Sequence, residues 1–146
     1  MFEELSEKSL EDPGFLKDIH GLMMDLSKTE YRANNFCYWA SMLRQPGWHT
    51  LAWRDDVGRI IGMGSINLLQ TPKAHTAIIH DVVVLEPHRG AGIGRVITEG
   101  LVKIARDANV DYVELTSNPK RKVARSNYEK RGFKKRATGV YRLTFD

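Results

Sequence analysis

A glycine-rich segment beside an arginine is the part of this sequence whose residue types most clearly suggest chemistry. It reads Pro87-His88-Arg89-Gly90-Ala91-Gly92-Ile93-Gly94 and joins the apolar run Val82-Val83-Val84 to a long amphipathic segment. The first turn of a helix has unpaired N–H groups and the positive end of the helix dipole, and glycines let an anion approach the backbone. The segment therefore predicts a phosphate-binding turn, with Arg89 adding positive charge at its rim. The alternative is that the glycines only permit a tight strand-to-helix turn.

Two well-known phosphate loops do not fit this spacing. The P-loop requires Gly-x-x-x-x-Gly-Lys-Ser/Thr, which is absent from the sequence, and the dinucleotide fingerprint requires Gly-x-Gly-x-x-Gly. Counted from Gly90 and Gly92, the third glycine of that fingerprint is replaced by Arg95. The spacing therefore favours neither a P-loop nucleotide hydrolase nor a Rossmann dehydrogenase.

The basic residues are concentrated near the C-terminus. Residues 1–117 contain 12 Lys/Arg and 16 Asp/Glu, whereas residues 118–146 contain 10 and 2, within a formal net charge of +4. Such a segment could attract nucleic acid, an acidic surface or a phosphate-bearing small molecule. Because the sequence has no helix-turn-helix, zinc-finger or RNA-binding strand motif, nucleic acid is not the favoured partner. The one cysteine, Cys37, cannot form an internal disulfide or a cysteine-rich zinc site, and we expect no bound metal.

The elements that would position the glycine-rich turn alternate between helices and strands. Helical spacing predicts helices over residues 12–26, 35–43, 92–108 and 119–130. Apolar runs and period-2 alternation predict strands over residues 48–53, 59–69, 77–85, 112–116 and 140–145, with a further short strand near residues 2–5. The order is therefore (β)-α-α-β-β-β-α-β-α-β. Since no linker or repeat interrupts the 146 residues, we expect one domain over residues 1–146.

Hydropathy gives an expectation about the protein's location. The apolar stretches are a few residues long, far short of the roughly 20 residues that cross a bilayer. The N-terminus, Met1-Phe2-Glu3-Glu4, is acidic where a signal peptide would be basic and then apolar. We therefore expect no membrane association and a cytoplasmic location.

Two motifs, in this order, resemble those of the GNAT N-acetyltransferase family. Residues 84–94 resemble its acetyl-CoA motif, Arg/Gln-x-x-Gly-x-Gly/Ala after a strand, with Arg89, Gly92 and Gly94 at the fixed positions. The second motif is similar to residues 118–133, which read Asn118-Pro119, then Ala124-Arg125-Ser126-Asn127-Tyr128-Glu129-Lys130-Arg131-Gly132-Phe133. The resemblance is strong over residues 60–146. It implies an α/β (α+β) fold with a mixed, mostly antiparallel central sheet that is flanked by helices and splayed open between two central strands.

The resemblance also implies that acetyl-CoA is the co-substrate. The backbone of Val82, Val83 and Val84 would pair with the pantetheine arm as an added strand does. The pyrophosphate would be held by the N–H groups of Arg89, Gly90, Ala91, Gly92, Ile93 and Gly94, with Arg95 nearby. Part of the basic C-terminal segment would meet the nucleotide's 3′-phosphate. Asn118 and, as a weaker candidate, Asn127 would contact the pantetheine amides, although an Asn-Pro helix start is also ordinary capping.

The implied reaction is direct attack of a primary amine on the thioester. A protonated amine must lose a proton before it attacks, and the departing thiolate benefits from an acid. Tyr128 lies at the position of the family's acid tyrosine; the alternative is a core aromatic. His80 and Asp81 are the candidate bases, although the family often has glutamate in this part of the strand, and a water chain is a third possibility.

Strand geometry bears on the choice between these two bases. Adjacent strand residues point to opposite faces, so only one of the pair can face the amine unless a bulge intervenes. An imidazole changes protonation near neutral pH, which favours His80. Asp81 could instead be structural, near a strand bulge.

The acceptor amine would be recognised by the first two helices, their connection and residues 71–75. Polar and aromatic residues supply a lining there, namely Tyr31, Arg32, Asn34, Asn35, Tyr38 and Trp39. Arg32 and His75 suggest a phosphate- or carboxylate-bearing amine, whereas an acidic groove would suggest a polyamine, an aminoglycoside or a lysine side chain. We expect a small-molecule acceptor. The alternatives are a protein lysine or N-terminus, and a non-catalytic acyl-CoA-binding module; the C-terminal strands could also pair in a homodimer.

Overall fold

The computed structural model of the protein describes residues 1–28 and 34–145. Its helices and strands are, in chain order, β1 (Phe2–Glu4), α1 (Phe15–Ser27), α2 (Phe36–Leu43), β2 (Trp48–Arg54), β3 (Ile60–Gln70), β4 (His75–Val84), α3 (Ile93–Asp107), β5 (Tyr112–Leu115) and α4 (Lys122–Lys130). Short 3-10 turns cover Glu7–Glu11 and Glu86–His88. The chain divides into a first compact unit, Met1–Thr116, and a second that begins at Ser117. One domain over residues 1–146 stays a prediction.

The five strands form one sheet in the order β1-β2-β3-β4-β5. The first three pairs are antiparallel, and β4 and β5 are parallel. A parallel pair requires a crossover connection, which α3 supplies between β4 and β5. The predicted α/β class, with a mixed and mostly antiparallel sheet flanked by helices, is confirmed.

Side-chain alternation along β2 and β3 separates two packed layers. Ala52 and Met63 lie opposite each other in the ladder and belong to the core that α1 and α2 cover. Their neighbours face α3: a Cβ on Gly62 would lie 2.9 Å from the Ile93 Cγ2 atom, and one on Gly64 would lie 3.0 Å from the Ile97 Cγ2 atom. The sheet therefore has helices on both faces, and β3 is accordingly buried without interruption from Ile60 to Ile66.

Helix α1 is amphipathic, and its apolar face closes one side of the core. Its buried residues recur at helical spacing and are Phe15, Ile19, Leu22 and Met23. Phe15 contacts Trp39 of α2 edge to face, with 5.3 Å between the ring centroids. Within the two described ranges, no helix combines the length and the apolar character needed to cross a membrane.

Helix α1 begins later than the predicted residue 12. The helix begins at Phe15 with Gly14 as its N-cap, and the Asp12 carboxylate accepts a hydrogen bond from the Gly14 N–H at 2.9 Å. Asp12 also accepts from Arg54 at 2.8 Å. The helix therefore starts three residues later than predicted, because Asp12 stabilises the turn that precedes it.

The predicted last strand, residues 140–145, was wrong. Up to residue 145, the structure describes no strand or helix beyond Lys130. The apolar side chains of the segment are exposed, namely Val140, Tyr141, Leu143 and Phe145. Alternation is compatible with a half-buried strand, but a strand also needs a backbone ladder partner, which a sequence pattern does not supply.

Gly47, in the turn between α2 and β2, provides a test of the fold. Its φ is +78°, and a Cβ there would lie 2.5 Å from the Leu68 carbonyl oxygen, whereas Gly58 has a φ of +86° and open space around it. Both Gly→Ala substitutions impose left-handed strain of about 1–2 kcal/mol. Because only Gly47→Ala also displaces backbone, we expect it to lower the free energy of unfolding by about 2 kcal/mol more than Gly58→Ala. Urea denaturation measures both values, and equal losses would contradict the close approach.

Candidate active site

Strand β4 extends beyond its parallel partner β5. The ladder between them covers Thr76 to Ile79 of β4, whereas β4 continues to Val84. On its other side β4 remains paired with β3 as far as Val84. The predicted cofactor-binding backbone, Val82, Val83 and Val84, therefore lies in the part of the strand beyond the β5 ladder.

A β-bulge interrupts β4 within this stretch. Ser65 of β3 pairs with His80 and Met63 pairs with Val83, so Asp81 and Val82 together oppose the single residue between them on β3. Asp81 has a φ of +52°, a left-handed conformation that is uncommon for a residue other than glycine. Such conformations cost of order 1–3 kcal/mol and cluster at functional sites. The bulge that would allow adjacent residues to share a face is therefore present.

Both candidate bases lie on the side of the sheet that α1 and α2 cover. His80 is opposite Ser65 in the ladder, and its ring stacks on Trp48 with 5.5 Å between ring centroids and 18° between the planes. Asp81 is exposed and lines a cavity together with Ser65. Val82 points the other way, since its Cγ2 atom lies 3.0 Å from where a Cβ on Gly64 would be. In a regular strand only one of His80 and Asp81 could face the side that α1 and α2 cover, but the bulge allows both to do so.

The cavity beside Asp81 has a volume of about 270 Å³ and lies between α1, α2 and the sheet. Its apolar walls come from Met23, Leu26, Trp39, Met42, Trp48 and Met63. Its polar lining comes from Ser27, Asn34, Tyr38, Ser65 and Asp81. Concave, mostly apolar sites with a few convergent polar groups are typical of small-ligand binding.

A buried hydrogen-bond chain supports the cavity floor. The Ser65 and Thr50 hydroxyls are 2.8 Å apart, and the Trp48 indole N–H donates to the Thr50 hydroxyl at 2.9 Å. Thr50 and Ser65 are 0% and 2% exposed. Because buried polar groups are costly when unpaired, this chain fixes the orientation of Trp48 and hence of the ring against His80.

The glycine-rich turn forms an open cradle at the start of α3. Gly90 and Gly92 have φ values of +86° and +84°, and a Cβ at either position would meet nothing within 4 Å. Gly92 is the N-cap of α3 and supplies no side-chain cap, so the helix's first-turn N–H groups depend on other partners. This arrangement fits a diphosphate. Arg95 is exposed in the same turn, 3.8 Å from Glu99.

Arg89, which was predicted to add positive charge at the rim of the cradle, makes two side-chain hydrogen bonds. Its Nε donates to the Val84 carbonyl oxygen at 2.9 Å, and its Nη2 donates to Asp25 of α1 at 2.9 Å. A guanidinium forms such paired contacts because its donors are held in a rigid plane. The side chain therefore ties the end of β4 to α1.

Asp25 of α1 accepts the hydrogen bond from Arg89. Its side chain is 14% exposed, and besides Arg89 its carboxylate contacts Lys28 and accepts from the Glu86 N–H at 3.0 Å. Burial alone would raise the pKa of Asp25, but the hydrogen bond from Lys28, the charge of Arg89 and the Glu86 N–H together lower it below its ordinary value of 3.8. The carboxylate is therefore ionised wherever the protein is near neutral pH.

Tyr128 belongs to the second unit, where it is buried on α4. Its ring contacts Phe133 with 5.9 Å between the centroids, within the Gly132-Phe133 end of the predicted motif. Burial raises the pKa of Tyr128, against the opposing effect of Arg121 and Arg131. The phenol therefore keeps its proton at neutral pH, which is the state a general acid requires.

The two predicted asparagines also belong to the second unit. The Asn118 side-chain oxygen accepts from the Lys120 N–H at 2.9 Å, so Asn118 forms a turn before α4. That helix begins at Lys122, three residues after Pro119. Asn127 is exposed on α4, and its carbonyl oxygen accepts from Arg131. Their contact with a pantetheine arm stays a prediction.

The predicted acceptor lining is partly assembled in the first unit. Asn34, Tyr38 and Trp39 line the cavity, whereas Asn35 caps α2 by accepting from the Tyr38 N–H. Tyr31 and Arg32 lie outside the described residues. His75 begins β4 and donates its N–H to Asp111 at 2.9 Å, at the far end of that strand from the cradle. Within the described ranges, no group of three or more His, Cys, Asp or Glu residues could hold a metal ion.

Sequence reasoning missed Asp25 and the role of Trp48. One signal for Asp25 was available: Asp18 and Asp25 are seven residues apart on α1, and therefore lie on one side of the helix beside its apolar face. Asp18 accepts the Ile60 N–H at 2.9 Å, as Asp25 accepts the Glu86 N–H. No comparable pattern indicates the role of Trp48, because strand alternation alone does not reveal that its ring on β2 stacks on the ring of His80 on β4.

The tie between Asp25 and Arg89 predicts a pH-dependent loss of stability. Asp25→Asn removes the charge but keeps the shape, and we expect it to lower the free energy of unfolding by about 1–3 kcal/mol at pH 7. Since the pKa of Asp25 is lowered by folding, the contribution is present above 3.8 and disappears as pH falls through the lower folded-state value. Chemical denaturation at pH 7 and pH 3 measures this, with the exposed Asp56→Asn as control. A loss that does not shrink at pH 3 would contradict the ionic origin.

Comparison with known proteins identifies the family. Residues 14–133 match the model of the Acetyltransferase (GNAT) family. The aminoalkylphosphonate N-acetyltransferase of Salmonella typhimurium strain LT2 is 31% identical over 136 residues, which cover 90% of this chain and 84% of that protein.

Solved structures share the fold. A Trypanosoma brucei acetyltransferase is 26% identical with a TM-score of 0.78, over 99% of both chains. An aminoglycoside acetyltransferase from an uncultured soil metagenomic sample has a TM-score of 0.84 over 99% of this chain and 96% of that one, but at 16% identity this likeness shows the fold alone. On the family match and the Salmonella relative, the chain belongs to the GNAT family of acetyltransferases and is an N-acetyltransferase.

Proposed function

We propose that this enzyme transfers the acetyl group of acetyl-CoA to the primary amine of a small molecule. The observation that carries the proposal is the continuity of β4 with the open cradle of Gly90 and Gly92 at the start of α3. Backbone that can accept a strand-like arm is thereby followed directly by backbone that can accept a diphosphate. Family members use acetyl-CoA as co-substrate, and that ligand contains both groups.

Each part of the first unit would hold a different part of the ligand. The peptide groups of Val82, Val83 and Val84 would bind the pantetheine arm, and the N–H groups from Arg89 to Gly94 would bind the pyrophosphate. Arg95 would add charge from the first turn of α3. The tie from Arg89 to Asp25 would keep the cradle in place, so Arg89 acts here as a positioning residue.

Asp81 is the base that the geometry favours. Acetyl-CoA supplies a thioester, whose carbonyl carbon the amine nitrogen attacks while the C–S bond breaks. The Asp81 carboxylate lines the cavity and would take up the proton that the amine loses, directly or through a water. His80 would position Trp48 through ring stacking rather than act as the base.

Tyr128 is proposed as the acid. It occupies the tyrosine position of the second motif, and its raised pKa keeps the phenol protonated. Its proton would pass to the leaving thiolate. Asn118 and Asn127 of the same unit would contact the pantetheine amides, and the basic residues from 118 to 146 would attract the nucleotide's phosphates.

A small acceptor is supported by two observations. The cavity volume of about 270 Å³ is near the lower end of small-ligand sites, about 300–1,000 Å³. The Salmonella relative is named for transfer to an aminoalkylphosphonate, which is a small amine. A protein lysine or N-terminus is the alternative acceptor class.

Ligand-dependent unfolding tests the cradle. Acetyl-CoA at a hundredfold excess over its dissociation constant should stabilise the native state by about 2.7 kcal/mol. CoA should share the shift in unfolding temperature, and ATP and NAD should not. Gly92→Ala should abolish most of the shift because the new Cβ enters the open cradle.

Gly58→Ala is the matched control for this experiment. It imposes comparable left-handed strain with open space around it, far along the chain from the cradle. It should lower the intrinsic stability and leave the acetyl-CoA shift intact. If acetyl-CoA gives no shift with the unsubstituted chain, the proposed function fails.

Turnover tests the proposed acid and base. Tyr128→Phe should lower kcat by about a hundredfold or more while the acetyl-CoA shift is unchanged, since one proton transfer is lost and binding is not. Asp81→Asn should lower kcat more than His80→Gln. Release of CoA measures each rate, and Tyr141→Phe, at a residue that is 96% exposed, is the control. Unchanged turnover in Tyr128→Phe would remove the acid from the mechanism.

A further inference from the structure

The buried hydrogen-bond chain on the cavity floor runs from Trp48 through Thr50 to Ser65, and Ser65 lines the cavity that Asp81 also lines. We infer that the Ser65 hydroxyl donates a hydrogen bond into this cavity, so that the acceptor is a primary amine with a hydrogen-bond-accepting oxygen on its body. This inference rests on the proposed function and deepens it, because it names a specificity-determining residue and the substrate class of the same site.

The direction of the chain follows from the hydrogens that its groups carry. An indole N–H can only donate, so the Thr50 hydroxyl accepts from Trp48 at 2.9 Å. Thr50 has one hydroxyl hydrogen of its own, and within residues 1–28 and 34–145 its other side-chain partner is the Ser65 hydroxyl, 2.8 Å away. Because Thr50 is 0% exposed, a hydrogen that did not go to Ser65 would be buried without an acceptor, which is costly. Thr50 therefore donates to Ser65.

Ser65 is left with a hydrogen of its own to donate. Its oxygen accepts from Thr50, and within the described ranges no hydrogen bond joins its side chain to His80, which it faces across the ladder, or to Asp81. Ser65 is 2% exposed and lines the cavity, so the cavity is where a partner for this hydrogen can lie. A hydroxyl that already accepts a hydrogen bond is the stronger donor, because successive bonds in a chain polarise one another.

The place of Ser65 in the sheet determines how far the oxygen lies from the amine. Ser65 is opposite His80 in the ladder between β3 and β4, and Asp81 is the next residue of β4. Neighbouring residues on adjacent antiparallel strands are about 5–8 Å apart. An amine beside the Asp81 carboxylate and an oxygen beside the Ser65 hydroxyl are therefore joined by a short body, of about two or three carbons.

An acceptor without this oxygen would bind less well in the transition state. A methylene in its place leaves the buried Ser65 hydrogen unpaired, and a site built to hydrogen-bond one atom of a substrate rejects the analogue that lacks it. The oxygen of a hydroxyl, an ether or a carbonyl meets the same requirement. The Ser65 hydroxyl therefore selects for an oxygen at a given distance from the amine.

Two pairs of amines that differ by one oxygen test the inference. One pair is 2-methoxyethylamine and n-butylamine, and the other is 3-methoxypropylamine and n-pentylamine; in each pair an ether oxygen replaces a methylene. The measured quantity is kcat/KM for the ether divided by kcat/KM for the alkylamine, from CoA release with acetyl-CoA. Because the ether oxygen also changes the basicity of the amine, this ratio is compared between variants of the chain, so that the effect of basicity cancels.

Ser65→Ala should lower the ratio about fivefold or more in at least one pair, as expected for the loss of one neutral hydrogen bond. Ser65→Cys, whose thiol is a weak donor, should lower it in the same direction and replaces Ser65→Ala if that variant does not fold. A ratio that is the same in these variants and in the unsubstituted chain would overturn the inference, because Ser65 would then donate nothing to the acceptor.

Thr76→Val is the matched control. Thr76 is a buried residue of the same sheet whose hydroxyl donates to the Tyr112 carbonyl oxygen at 3.4 Å, and it does not belong to the cavity lining. Its replacement removes a buried hydroxyl with little change in shape and should leave the ratio unchanged. A fall of equal size in Thr76→Val and Ser65→Ala would contradict the role of Ser65, because the discrimination would then follow from the stability of the sheet.

Failure of the inference can be separated from failure of the proposed function. If acetyl-CoA stabilises the protein and Ser65→Ala keeps the ratio, the acceptor class is wrong and the acetyltransferase proposal stands. The acceptor class is also wrong if neither ether is acetylated while acetyl-CoA binds. If acetyl-CoA does not bind, both the inference and the proposed function fall.

Discussion

The bulge in β4 is the constraint on which the rest of the site depends. Two residues of β4, Asp81 and Val82, oppose one residue of β3, and Asp81 adopts a left-handed conformation to allow it. His80 and Asp81 then face the same helical layer, while Val82 faces α3. A regular strand would send Asp81 to the opposite face. The local backbone strain is therefore coupled directly to the position of a carboxylate in the cavity.

Helix α1 connects the two halves of the site because it touches both. Its apolar face contributes Met23 and Leu26 to the cavity, and its acidic side holds the ends of two strands. Asp18 accepts the N–H at the start of β3, and Asp25 accepts the N–H that follows β4 while also holding Arg89. A displacement of α1 would therefore move the cavity beside Asp81 and the cradle together. Their relative position is set by hydrogen bonds as well as by packing.

Backbone groups form the cradle, whereas side chains line the cavity. The cradle relies on peptide N–H groups at the start of α3, so its sequence requirement is for small residues rather than for charge. The cavity relies on side chains held by a buried chain of hydrogen bonds from Trp48 through Thr50 to Ser65. Such preorganisation lowers the cost of ordering a site on ligand binding.

Periodicity in the sequence determined the layers and most of the elements. Apolar residues at helical spacing predicted α3 to within one residue at each end and α1 apart from its start, and alternation predicted β2 and β3, because these patterns reflect the burial of a single element. The spacing of Gly90 and Gly92 likewise predicted a turn with an open backbone at the start of α3, since a left-handed backbone and open space are local requirements. The C-terminal strand failed for the complementary reason: the pattern of residues 140–145 could not specify a ladder partner.

Only the tertiary structure determines which side chains of different elements contact one another. Arg89 was predicted to add positive charge at the rim of the turn, and only the fold pairs its guanidinium with Asp25, 64 residues earlier in the chain. The bulge at Asp81 depends on the register between β3 and β4. The stacking of His80 on Trp48 depends on β2 and β4 lying on either side of β3. Contacts between distant segments arise from how layers pack, and no local spacing in the sequence encodes them. The sequence by itself therefore determined most of the turns and layers, and packing decided that the Asp81 carboxylate lines the cavity beside α1 and α2.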